Sequence, residues 1–120
     1  MADSFKVLGQ AVLSASSWAT TVYTVPDTPH ADFAPTNIMQ CVVSSIVICN
    51  RDGSTQTYNL AIVPKGETRA DKHTIVSGRS LTASATEVLS FGIALSTGDK
   101  VMGYGSAANF SISIFGVEII

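Results

Sequence analysis

Apolar and polar residues alternate with a period of two along most of the chain. Between Thr86 and Leu95 the large apolar residues Leu89, Phe91, Ile93 and Leu95 fall on one parity, with Ser90, Gly92 and Ala94 between them. That period sets one row of side chains on each face of an extended backbone, so the segment predicts a half-buried strand. Thr55 to Val63 repeats the pattern with Tyr58, Leu60 and Ile62 inward, and Asn109 to Val117 with Phe110, Ile112 and Ile114. Near Phe115-Gly116 the apolar parity changes, which predicts a bulge at Gly116. Shorter β-branched or aromatic runs predict further strands at Phe5 to Val12, Ala19 to Val25, Lys72 to Val76 and Lys100 to Tyr104. Ala83 to Leu89 has room for one helical turn, but Thr86 and Val88 favour a strand.

The stretch from Ile38 to Cys49 differs, because both parities are apolar. Ile38, Val42, Ile46 and Ile48 fall on one, and Met39, Cys41, Val43 and Val47 on the other. A strand apolar on both faces is buried on both. In a two-sheet domain one face meets the core, and the other needs cover from another chain or from a loop. Val43 and Val47 are the candidate interface residues on this strand. Turn-forming residues separate the runs, at Asn50 to Ser54, Pro64 to Glu67 and Ser96 to Asp99. Asp52-Gly53 predicts a tight hairpin with positive φ at the glycine. Residues 1–120 therefore form one all-β domain, an antiparallel β-sandwich or jelly roll of seven to eight short strands.

Pro26, Pro29 and Pro35 exclude regular structure from residues 26–37. Phe33 is the one large apolar residue there. Such a residue either tucks onto its own domain or inserts into a neighbour, and insertion is the working expectation. Burial would contribute about 2–3 kcal/mol, and the prolines lower the ordering cost of a docking arm.

Composition changes this picture in one direction. Only 13% of the residues are charged against 46% hydrophobic, and the net charge is −2. The charged share is about half the globular norm. A surface so poor in charge, built from Ser, Thr, Ala and Gly, suits a chain covered by copies of itself or by partners. No run of Lys or Arg supplies the footprint of a nucleic-acid binder. The N-terminal residues carry one basic residue, Lys6, and no apolar block of signal-peptide length. Ile38 to Cys49, interrupted by Gln40, Ser44 and Ser45, is too short and polar to insert in a membrane. Cys41 and Cys49 are eight residues apart, or about 26 Å along a straight strand. Disulfide geometry requires Cα atoms within about 7 Å, so both are expected as free thiols, in keeping with folding in a reducing cytoplasm.

Candidate chemistry is sparse. His30 and His73 lie in no nucleophile motif such as G-x-S-x-G, so no catalytic residues are expected. His30 with Asp27 and Asp32 is the one local set of metal-ligand types, and a polar proline-rich loop explains it better. Gly103-Tyr104-Gly105 precedes no helix that would present an anion site. No cofactor or metal is expected. Trp18, Tyr23, Tyr58 and Tyr104 are the residues from which a sugar-stacking platform would be built, with core and hairpin packing the competing account.

Taken whole, the chain resembles small virion structural proteins of tailed bacteriophages, of the kind found in phages of cyanobacteria and marine bacteria. The likeness is carried by Val7-Leu8-Gly9-Gln10, Val22-Tyr23-Thr24-Val25-Pro26 and Val43-Ser44-Ser45-Ile46-Val47-Ile48-Cys49-Asn50. It continues through Leu95-Ser96-Thr97-Gly98-Asp99-Lys100-Val101 and the run from Phe110 to Ile119. Segment 26–37 is longer than that pattern. The resemblance implies a non-enzymatic subunit on the exterior of the virion, made in the host cytoplasm. It implies a homo-oligomer, with a trimer the leading expectation, that also contacts other virion proteins. Tail, fibre or baseplate is the preferred location, capsid decoration the alternative, and a module binding glycans on the host surface a further one.

Overall fold

Alternation along the chain becomes nine strands in the computed structural model, which describes residues 3–15, 17–26 and 40–119. They are β1 (Asp3–Val12), β2 (Ser14–Ala15), β3 (Thr20–Thr24), β4 (Gln40–Asn50), β5 (Gln56–Val63), β6 (Thr74–Leu81), β7 (Thr86–Ser96), β8 (Lys100–Gly105) and β9 (Phe110–Ile119). Among the described residues the one helical element is a 3-10 turn, Asp71–His73. Phe33, and with it His30, Asp27 and Asp32, lies outside the described residues.

The strands form two sheets. Sheet A has the order β1-β9-β4-β7, and sheet B the order β6-β5-β8, with β2 and β3 both pairing β8 on its far side. Every pairing is antiparallel except the two-residue contact of β2 with β8. Apart from the β2–β3 and β5–β6 steps, each connection passes from one sheet to the other. That is the connectivity of a jelly roll, and the all-β sandwich expected from the alternation is the observed fold. Asp3 of β1 stands opposite Ile119 of β9.

Between the sheets lie the fully buried side chains of Leu13, Val43, Ile46, Ile48, Tyr58, Leu60, Val101, Phe110, Ile112 and Ile114. Burying a side chain of this size stabilises the fold by about 1.5–3 kcal/mol. The rings of Tyr58 and Phe110 meet edge to face, 5.6 Å between centroids. Leu89, Phe91 and Ile93 of β7 pack against this core as expected, although β7 is an edge strand and leaves them partly exposed.

The apparent hairpin at Asp52-Gly53 is an arch between sheets. β4 belongs to sheet A and β5 to sheet B, and the positive-φ glycines among the described residues are Gly66, Gly78 and Gly98. What shapes the arch is the buried Asn50. Its amide nitrogen reaches the carbonyls of Ser54 (3.0 Å), Leu81 (2.9 Å) and Thr82 (3.2 Å). Its side-chain oxygen accepts the Asp52 N–H at 2.9 Å. One side chain thereby ties the β4–β5 arch to the β6–β7 corner.

The expected bulge at Gly116 lies instead in the neighbours of β9. β9 alternates regularly to its end, whereas Leu8 is the extra residue in β1 and Ser44 the extra residue in β4, both at the level of Phe115. The bulge in β4 changes which side chains face inward. Cys41 and Val43 before it, and Ile46 and Ile48 after it, all point into the core. Among the described residues from Gln40 onward, neither apolar parity therefore survives as a face. Val43 is a core residue with no exposed surface, which removes it as an interface candidate. Val47 lies on the outer face and remains one.

Candidate functional site

The two outer faces of the sandwich are built differently. On sheet B, residues 64–73 fold back so that their 3-10 turn touches β5. Ala61 and Val63, opposite in parity to Leu60 and Ile62, are fully buried there. The buried His73 holds this cover in place. Its Nδ1 accepts the Ala70 N–H at 2.9 Å, so Nε2 carries the hydrogen that meets Glu67 Oε1 at 3.0 Å. Arg69 lies 4.5 Å over the Trp18 ring, and Trp18 packs edge-on against Tyr104 at 4.7 Å. Lys65, Glu67, Arg69, Asp71 and Lys72 all belong to this cover, so its sequence is charged.

Sheet A carries no such cover from the described residues. Register defines rows of positions across this sheet: Asp3–Ile119–Gln40–Ser96, Phe5–Val117–Val42–Ala94, Val7–Phe115–Ser45–Ser90, Gln10–Ser113–Val47–Val88 and Val12–Ser111–Cys49–Thr86. Apart from the Asp3 position at the β1 end of the first row, none of these residues is charged. Val7, Val12 and Val88 are 46%, 53% and 61% exposed. The remaining polar groups are hydroxyls and amides, and Gln10 already donates to Ser113 Oγ at 3.0 Å.

Toward its C-terminal end β9 is inverted relative to a normal amphipathic strand. Phe115, Val117 and Ile119 face outward, while Gly116 and Glu118 face inward. The inward positions are filled in other ways. Leu8 packs so close over Gly116 that an added Cβ would lie 3.0 Å from its Cδ1 and 2.1 Å from the Val42 carbonyl oxygen. Glu118 receives the Tyr23 hydroxyl at 2.7 Å and forms an ion pair with Lys6 Nζ at 2.7 Å. Burial pushes the Glu118 carboxyl up, but the hydrogen bonds and charge supplied by Lys6 and Tyr23 prevail and hold it below the usual glutamate range. Burial, with Glu118 beside it, pushes the Tyr23 phenol well above its ordinary value, so it stays a donor. The parity change in the sequence at Phe115-Gly116 is thus the mark of an apolar corner on the outside of the sheet.

A second charged cluster stands at the other side of the sandwich. Arg79 of β6 pairs with Glu87 of β7 through two bonds of 2.6 Å, and the fully buried Tyr58 donates to Glu87 at 2.5 Å. It links the two sheets.

The four aromatics considered for sugar stacking are dispersed. Tyr58 and Tyr23 are buried in the core, and only Trp18 and Tyr104 meet, with Arg69 across the Trp18 ring. Gly103 and Gly105 face the core, where an added Cβ would crowd Leu60 and Phe110. Among the described residues no three His, Cys, Asp or Glu side chains gather as a metal site requires. Cys41 is buried inside and Cys49 partly buried on the outer face, both as free thiols. No protein-family model matches the chain, and neither curated proteins nor solved structures include a significant match.

Proposed function

We propose that this chain is a non-enzymatic structural subunit on the exterior of a tailed-bacteriophage particle, associated with the tail, fibre or baseplate. One observation carries the contact role: the corner of sheet A where Phe115, Val117 and Ile119 point outward while Glu118 points inward. A free surface gains nothing from that inversion, whereas an assembly subunit uses it to dock. The virion context comes from the whole-chain resemblance, and jelly rolls are a recurrent architecture of viral shells. Capsid decoration is the alternative location. A glycan-binding role draws less support, because Trp18 is occupied by Arg69 and Tyr104.

The test is the copy number of the chain in purified particles, by quantitative mass spectrometry against the major capsid protein. A handful of copies matching tail symmetry is expected. Copies matching the many lattice positions of the head would move the subunit to the capsid. Absence from washed particles would end the virion reading.

A further inference from the structure

We propose that the outer face of sheet A docks on the same face of a second copy, across a two-fold axis. The inference rests on the reading of that face as a contact face and names its occupant.

Chemistry selects the occupant. Apart from the Asp3 position at the β1 rim, the face offers no cation to a nucleic acid or an acidic partner and no anion to a basic one. Its neutral polar groups are the hydroxyls of Ser45, Ser90, Ser96, Ser111, Ser113 and Thr86 and the amides of Gln10 and Gln40. Hydroxyls and carboxamides both donate and accept, so a copy of the face meets acceptable partners in any register. An isologous contact asks only that a patch be compatible with itself, and an uncharged patch avoids like-charge repulsion.

Size agrees. Four strands spaced about 4.8 Å apart and about 33 Å long give a footprint of roughly 600 Å². Pleating and projecting side chains raise the accessible area toward the about 800 Å² per partner of a standard specific interface. Two such sheets pack face to face about 10 Å apart, with aligned strands. The central strands β9 and β4 place Phe115, Val117, Val42 and Val47 in the middle of the contact. Docking by this face yields a pair, since a three-fold ring needs two different patches.

Sedimentation of the full chain at tens of micromolar tests the pairing. The expected mass is twice the 12.5 kDa of the chain. Val47→Lys, which sets a charge on the outer face, is expected to weaken association at least tenfold. Its circular dichroism and melting curve would be compared with those of the dilute wild type. A variant-free reading comes from Cys49, which lies in the row Val12–Ser111–Cys49–Thr86. Its alkylation should slow as wild-type concentration rises. A wild-type monomer, a trimer, or a dimer in which Cys49 reacts equally fast at all concentrations would overturn the pairing. A monomer that is nevertheless present in particles would sink the pairing and spare the virion reading. A stable pair missing from particles would do the reverse.

Discussion

The Tyr23 hydroxyl and Glu118 Oε2 stand 2.7 Å apart in the interior, joining β3 of one sheet to β9 of the other through a buried carboxylate. Lys6 Nζ completes the arrangement at 2.7 Å from Oε1. A buried carboxylate is stable here because both oxygens have partners.

Tyr23→Phe deletes one of those partners and leaves the shape intact. The loss is expected to be about 1–3 kcal/mol, measured by urea unfolding. An unchanged midpoint would show that the bond contributes nothing net.

Acidification acts on the same carboxylate. Because the folded Glu118 carboxyl is held below its ordinary value, its contribution is complete above the usual glutamate pKa of about 4.3 and is lost as pH falls through the folded value. Thermal melts of wild type and Glu118→Gln should therefore differ less at acidic than at neutral pH. The carboxyls of Asp52, Glu67 and Glu87 are also held low, but both proteins share them and they largely cancel in the difference.

Asn50 presents its amide nitrogen to three carbonyl oxygens. Asn50→Asp keeps an acceptor for the Asp52 N–H but turns a carboxylate oxygen toward the three carbonyls, at a cost of about 3 kcal/mol or more at neutral pH. That penalty should shrink in acid, where the new carboxyl protonates and can donate. Denaturation at two pH values checks both parts.

Gly116→Ala is expected to be among the most damaging single-methyl changes in the chain. The new Cβ would meet the Val42 carbonyl oxygen, which belongs to the backbone and cannot swing away. A loss of about 3 kcal/mol is expected, read as soluble yield and melting temperature. Gly53→Ala, with nothing within 4 Å of the added carbon, is the matched control.

The thiols should separate by reactivity. In dilute native protein Cys49 should alkylate, and Cys41, buried and with its ionisation suppressed chiefly by that burial, only on unfolding. Mass spectrometry of partially labelled protein decides the order, and replacing both with Ala or Val should preserve folding.

The legible parts of the fold are the strands whose inward and outward side chains alternate without interruption. Phe110, Ile112 and Ile114 announce β9, and Leu89, Phe91, Ile93 and Leu95 announce β7. β4 was not legible in the same way. Nothing in Val42-Val43-Ser44-Ser45-Ile46 marks which residue is extra, and one unpaired residue reverses every later side chain. That is why the sequence sets Val43 and Val47 on one face as interface candidates, whereas in the structure Val43 faces the core and Val47 the outside. The apolar corner did leave a trace, as the parity change at Phe115-Gly116. A bulge and an outward-facing apolar patch write the same pattern, and only the neighbouring strands separate them. Glu118 gave no sign of burial, because its partners Tyr23 and Lys6 are remote in sequence.

Asp3 and Ile119 share one rung of the β1–β9 ladder, and this bears on how the subunit responds to mechanical load. Force that draws these two residues apart across the sheet peels β1 from β9 pair by pair, so each hydrogen-bonded rung resists alone. Force that slides the strands past each other must break many rungs together. A subunit anchored at this corner would be compliant under the first geometry and stiff under the second. Its resistance would depend on the direction of pull more than on overall thermodynamic stability.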